Sequence, residues 1–107
     1  MAEVAQSREL ILQEFIADLK KQIVVNKAYL YGSSVSSLLA ADSDVDVAVF
    51  SESFDNEKFV NATAFLFRIA RKYKDICLEP VGFPVSALRE GNPFVQEILE
   101  TGREIKS

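Results

Sequence analysis

The chain of 107 residues contains no histidine. That absence removes a Ser-His-Asp triad, a Cys-His dyad and any histidine-ligated zinc site. Cysteine occurs once, at Cys77, so no internal disulfide can form and the composition suits a reducing compartment. Basic charge is not in excess: 12 lysines and arginines stand against 16 acidic residues, a net charge of −4. The chain therefore lacks the general positive field that holds a nucleic-acid backbone, and bulk nucleic acid is not an expected partner. No apolar run approaches the length that spans a bilayer, and no stretch resembles a signal peptide. The expectation is a cytoplasmic protein without a membrane partner. Repeats, low-complexity tracts and linkers are absent too. With no imidazole available, a bound metal would be held by oxygen, which favours Mg²⁺, Mn²⁺ or Ca²⁺.

What remains is ordinary globular material, 49% hydrophobic and 26% charged. The length suits one domain over residues 1–107 with one modest core. Leu12, Phe15, Ile16, Leu19 and Ile23 recur at helical spacing, predicting a helix over Ser7–Gln22 with Ser7 as its cap. Lys20 and Lys21 suit its C-terminal end. Ala28–Tyr31 reads as a short strand ended by Gly32, and Ser34–Leu39 as a short helix. Val45–Phe50 is almost wholly apolar and β-branched, predicting a strand buried on both faces. A helix is expected over Asn56–Tyr73, with Phe59, Ala62, Thr63, Leu66, Ile69, Ala70 and Tyr73 as its core stripe. Asp75–Val81 alternates as a third strand, with Pro80 pointing to a sheet edge or strand end. Asn92-Pro93 opens a last helix and Gly102 closes it. The sum is an α/β (α+β) fold, a small sheet with helices packed on it.

Three short stretches carry the chemistry. Asp44 and Asp46 head the buried strand, and residues two apart on a strand point to one side, roughly 6.5–7 Å apart. Such a pair repels itself unless a divalent ion sits beside it, and Mg²⁺ is commonly held by one or two carboxylates plus substrate phosphates. The alternative is solvated turn chemistry in Asp42-Ser43-Asp44. A calcium loop starting at Asp42 fails, because Val47 and Ser53 stand where glycine and glutamate are required. Gly32, Ser33 and Ser34 follow the first strand, where a glycine lets the backbone approach a ligand and helix-start N–H groups attract phosphate. The alternative there is a plain strand-to-helix turn. Glu79 shares a strand face with Asp75 and Cys77, and neighbours the aspartates if the third strand lies beside the second. Otherwise that face is merely exposed. Cys77 itself reads as a small buried residue, or as a neighbour of the site through Glu79.

Gly32-Ser33, then eleven residues from Ser33 to Asp44, then Asp44-Val45-Asp46 and an apolar strand, resembles the minimal nucleotidyltransferase domain of the DNA polymerase beta-like superfamily. Leu78-Glu79-Pro80-Val81 and the closing run from Asn92 to Gly102 look like family members as well. The resemblance implies a mixed sheet and a two-metal mechanism. Asp44, Asp46 and Glu79 would be the metal-binding and catalytic carboxylates, holding Mg²⁺ or Mn²⁺, with Asp75 on the same strand face as the alternative to Glu79. Gly32, Ser33 and Ser34 would bind the nucleotide. The implied reaction moves a nucleoside monophosphate from an NTP, ATP foremost, to an acceptor hydroxyl. Small members often accompany a HEPN-domain protein, in some cases as its antitoxin, so the acceptor hydroxyl would lie on such a partner. Many relatives carry an arginine and a second glycine in the loop where this chain has Ser36 and Ser37, and no lysine or arginine occurs between Lys27 and Lys58. That departure supports the alternative, a partner-binding module of the same fold without useful turnover.

Two further features await the fold. Arg68, Arg71 and Lys72 read as a solvated face, or as a patch for phosphates or an acidic partner. Val60, Phe65 and Phe67 fall outside the core stripe, either as a wide core contact or as an apolar strip for another chain, which would make an oligomer.

Overall fold

The structure is a computed structural model; it describes residues 2–32, 34–37, 44–56, 58–74 and 76–106, and the side-chain surroundings of these except residues 2–7, 36 and 37. Helix α1 spans Ala2–Lys20, β1 Lys27–Leu30, α2 Ser34–Ser37, β2 Asp44–Ser51, α3 Phe59–Ala70, β3 Cys77–Pro84, α4 Pro93–Thr101 and β4 Arg103–Glu104. The strands form one mixed sheet in the order β3-β2-β1-β4. β1 runs antiparallel to β2 and β4, while β2 and β3 are parallel. The α/β expectation holds, with a mixed sheet as the resemblance implied.

Side chains of β2 point alternately to the two faces of the sheet and so divide the core. Val45, Val47 and Val49 face a large cluster with Leu12, Phe15, Ile16 and Leu19 of α1 and Ala62, Leu66, Ile69 and Ala70 of α3. Ala48 and Phe50 face a smaller cluster with Phe83 of β3 and Val95 and Ile98 of α4. Both faces are covered, which explains a strand so nearly free of polar residues. α4 carries the Asn92 cap expected of it, with Asn92 Oδ1 accepting from the Phe94 N–H at 2.8 Å, and Pro93 at the first helical position.

Several boundaries differ from the sequence reading. α1 begins five residues earlier than Ser7, which lies inside the helix rather than capping it; the preceding residues are competent helix formers and simply extend the turn. α3 begins at Phe59, and Phe59 does not belong to the buried stripe, being 53% exposed. Its ring instead meets Phe83 at 5.6 Å. Of the residues flanking that stripe, Phe65 packs on the core through Phe54, with centroids 6.2 Å apart, whereas Val60 and Phe67 stay exposed. Arg68, Arg71 and Lys72 are exposed. The short helix is described only to Ser37, and Leu39 lies outside the described residues.

β3 starts two residues later than Asp75 and runs on to Pro84. It is an edge strand, as Pro80 anticipated. The Gly82 N–H turns outward to Thr63 Oγ1 at 3.1 Å. Pro80 and Pro84 share Gly82's parity, so the outward edge lacks their donors and cannot template another strand. A Cβ on Gly82 would come within 3.0 Å of Ala62 and Phe54, so glycine there lets α3 seat closely on the strand. β4 has no counterpart in the sequence reading. Its two residues pair with Tyr29 and Leu30, and Arg103 reaches Glu9 of α1 at 2.9 Å.

Candidate active site

The carboxylates lie where a stripe changes character. On the α4 face, β2 presents Asp44, Asp46, Ala48 and Phe50, and β3 presents Cys77, Glu79, Val81 and Phe83. The apolar halves of both stripes lie under α4 and the neighbouring turn, while the first residue of each, Asp44 and Cys77, stays exposed. Both strands start at the same end because they are parallel. Their register sets Asp44 opposite Cys77 and Asp46 opposite Glu79. One oxygen of Asp44, one of Glu79 and the Cys77 sulfur all lie within 4.8 Å of one another.

The electrostatics follow from this crowding. Partial loss of solvent raises the proton affinity of Glu79, and the adjacent charges of Asp44 and Asp46, with hydrogen bonds to both, raise it further. The Cys77 thiol is pushed up chiefly by its hydrogen bond to Asp44, then by burial and by the two carboxylates. Tyr31 completes the row. Its N–H donates to the Asp46 carbonyl at 3.2 Å, which extends the β1–β2 ladder by one rung. Burial raises the Tyr31 phenol, with Asp46 and Glu79 adding to the effect. Tyr31, Asp46 and Glu79 thus stand side by side across three strands.

Gly32 adopts φ +63°, a conformation that favours glycine, and a Cβ there would sit 3.5 Å from Asp46 Oδ2. The turn therefore brings bare backbone against the acidic group. Ser34 is 1% exposed, and its hydroxyl is committed to β2. It donates to the Asp44 carbonyl at 3.2 Å and accepts from the Asp46 N–H at 2.7 Å. Ser34 so ties the small-residue turn to the backbone on either side of Val45 and sets where the two aspartates emerge. Ser33, Asp42 and Asp75 lie outside the described residues.

Beside Gly32 opens a cavity of about 210 Å³ lined by Tyr31, Phe94, Glu97, Ile98 and Thr101. Phe94 closes one side, its ring edge-on to Tyr31 at 5.6 Å. Sequence reasoning missed Tyr31 and Phe94 as site neighbours and undervalued Cys77, which is exposed rather than buried. The parity of Cys77 with Glu79 was the available signal. Tyr31 carried one too, since it directly precedes the turn glycine.

The donor set fits a divalent ion, with three convergent side chains at an open strand end and carboxylate charge in need of neutralisation. A mixed sheet bearing such a group at the start of two parallel strands, beside a glycine turn, defines a nucleotidyltransferase-like α/β protein. A family model described as polymerase beta, nucleotidyltransferase matches residues 13–107, and the chain belongs to that family. No curated protein and no solved structure matches it. Among the described residues no helix is long and apolar enough to cross a membrane.

Proposed function

We propose that the protein is a Mg²⁺- or Mn²⁺-dependent nucleotidyltransferase that moves a nucleoside monophosphate from an NTP, ATP foremost, to a hydroxyl on a protein partner. The single observation carrying this reading is the meeting of Asp46 and Glu79 in one register pair, with Asp44 within reach of Glu79. Asp44 and Asp46 would hold the metal, joined by Glu79. When bound, the metal supplies charge neutralisation for the attacking and leaving oxygens. Glu79, beside Asp46 in the register, would also help take the proton of the acceptor hydroxyl. The acceptor oxygen then bonds to the α-phosphorus, the bond from that phosphorus to the bridging oxygen breaks, and pyrophosphate leaves. Gly32 and Ser33 would offer backbone N–H groups to the phosphates, and Ser34 would hold the turn in place. The family resemblance makes a HEPN-domain protein the partner of choice, with an antitoxin role. The exposed Val60 and Phe67 on α3 supply apolar surface for such a contact.

A second reading rests on the loop, which lacks any lysine or arginine between Lys27 and Lys58. A protein without that cation would bind its partner through the same fold and transfer nothing. Incubation with labelled ATP, Mg²⁺ and a HEPN-domain protein encoded beside it separates the two. Label on the partner that falls by about 10²-fold or more in Asp44→Asn/Asp46→Asn supports the transferase. Stable partner binding with no label in either protein supports the binding module.

A further inference from the structure

The cavity of about 210 Å³ beside Gly32 is lined from two elements. The end of β1 supplies Tyr31 and Gly32. Helix α4 supplies Phe94, Glu97, Ile98 and Thr101, which follow Phe94 by three, four and seven residues and so share one helical face. The Phe94 and Tyr31 rings stand at 89° with centroids 5.6 Å apart, so a planar ring laid flat on one meets the other with its edge. A cavity of about 150 Å³ already holds benzene, which leaves room here for a two-ring heterocycle. The polar side chains call for a donor. The Glu97 carboxylate only accepts, and the Thr101 hydroxyl donates to the Glu97 carbonyl at 2.8 Å, which leaves its lone pairs to accept. The Tyr31 hydroxyl can take either role. Among the described residues no lysine or arginine lines the cavity, so a phosphate does not suit it. A neutral aromatic group carrying N–H donors does.

We propose that this cavity is the subsite for the base of the nucleotide, and that it selects a purine bearing an exocyclic amino group, adenine or guanine. The inference rests on the nucleotidyltransferase reading and narrows which nucleotides that site takes. Placement favours the nucleotide over the acceptor. β2 lies between β3 and β1, so Glu79 on β3 marks one flank of the aspartates as the acceptor's side. Tyr31 and Gly32, following β1, mark the other flank, where the phosphates would meet the Gly32 turn. The base stacks on Phe94 and its amino group donates to Glu97. Hypoxanthine and uracil lack that amino group and set a carbonyl against the carboxylate, which disfavours them. Phe94 and Glu97 are then specificity-determining residues, and neither belongs to the acidic group at the heads of β2 and β3.

The test is calorimetry at saturating Mn²⁺ on the intact protein, Glu97→Gln and Phe94→Ala, with ATP, GTP, ITP, UTP and tripolyphosphate as ligands. In the wild type, ATP or GTP is expected to bind about 10-fold or more tightly than ITP and UTP. In Glu97→Gln that preference shrinks to about twofold or less, because the amide can donate to a carbonyl. Phe94→Ala weakens the preferred nucleotide by about 10-fold and leaves tripolyphosphate within about twofold, which also reports that the variant is folded. Glu97 is exposed, so its variant carries the test even where Phe94→Ala fails to fold. ITP and UTP binding as tightly as both ATP and GTP, or a preference untouched by Glu97→Gln, overturns this inference and leaves the proposed transferase intact, since Mn²⁺-dependent triphosphate binding persists. Failure of every nucleotide and of tripolyphosphate to bind overturns both.

Discussion

Asp46 and Glu79 face one another across the parallel β2–β3 ladder, close enough to share a hydrogen bond. Two carboxylates so placed favour a state in which one is protonated or both are neutralised by a cation.

That relationship has a sign in pH. The folded-state proton affinity of Glu79 is raised, first by partial burial and then by Asp44 and Asp46. The stabilisation from its protonated form is present below the ordinary glutamate range and is lost as pH rises through the raised value. In metal-free protein Glu79→Gln should therefore raise Tm near neutral pH and leave it unchanged in acid. Mg²⁺ should raise the Tm of the wild type near neutral pH more than that of the variant. Thermal melts at several pH values, with and without Mg²⁺, check both.

Ser34 offers a different handle. Its hydroxyl bridges the Asp44 carbonyl and the Asp46 N–H, so Ser34→Ala leaves that N–H without its partner. The expected cost is about 1–2 kcal/mol in denaturant unfolding. Because the bridge also sets the aspartates' position, Mn²⁺ affinity should fall in the folded variant, whereas a purely peripheral turn serine would leave it untouched. Calorimetry on folded protein distinguishes the two.

Two glycines should respond differently to alanine. At Gly102 the backbone is extended with φ −77°, yet a Cβ would stand 2.4 Å from the Ile98 carbonyl oxygen and 2.7 Å from that of Leu30. Gly102→Ala must displace the end of α4 from β1, with a loss of about 2 kcal/mol or more. At Gly32 the space is ordinary but φ is +63°, so Gly32→Ala should cost only about 1–2 kcal/mol of backbone strain. Paired urea melts would show the order Gly102→Ala below Gly32→Ala.

Away from the site, the Tyr73 hydroxyl donates to Asp18, and its ring meets Phe15 edge-on at 6.1 Å. That hydrogen bond is the main reason the Asp18 carboxyl is held below its usual range, while burial and then Asp18 push the Tyr73 phenol above its own. The Asp18 contribution is present above the ordinary aspartate range and lost as pH falls through its lowered value. The Tyr73 contribution is present below the ordinary tyrosine range and lost as pH rises beyond it. Tyr73→Phe should lower Tm by a few degrees at neutral pH, with the difference shrinking towards strong acid and strong alkali. An NMR titration of Asp18 should show its proton affinity rising in the variant.

Local signals in the chain were legible because they depend on a few neighbouring residues. Asn92-Pro93 caps α4 through its own next two N–H groups, and the valines of β2 demand burial wherever the strand goes. The positions of Gly32, Asp44, Asp46 and Glu79 could be singled out, since their spacing follows from strand parity and the family pattern. Phe59 was misplaced for the opposite reason. Helical periodicity assigns it to the buried stripe, but α3 begins at that residue, and its ring stays 53% exposed against Phe83 instead of joining the core under α3.

Composition and periodicity sufficed for the order of elements as far as α4, for the two-sided burial of β2 and for which carboxylates stand at its head. Tertiary structure alone decided that β3 lies parallel beside β2, in a register that sets Glu79 against Asp46 and Cys77 against Asp44, and that Tyr31 joins the row from β1. The physical reason is that strand pairing is non-local. A shift of one residue would turn every one of these side chains to the opposite face, and what prevents it is the fit of two hydrophobic clusters on the two sides of the sheet.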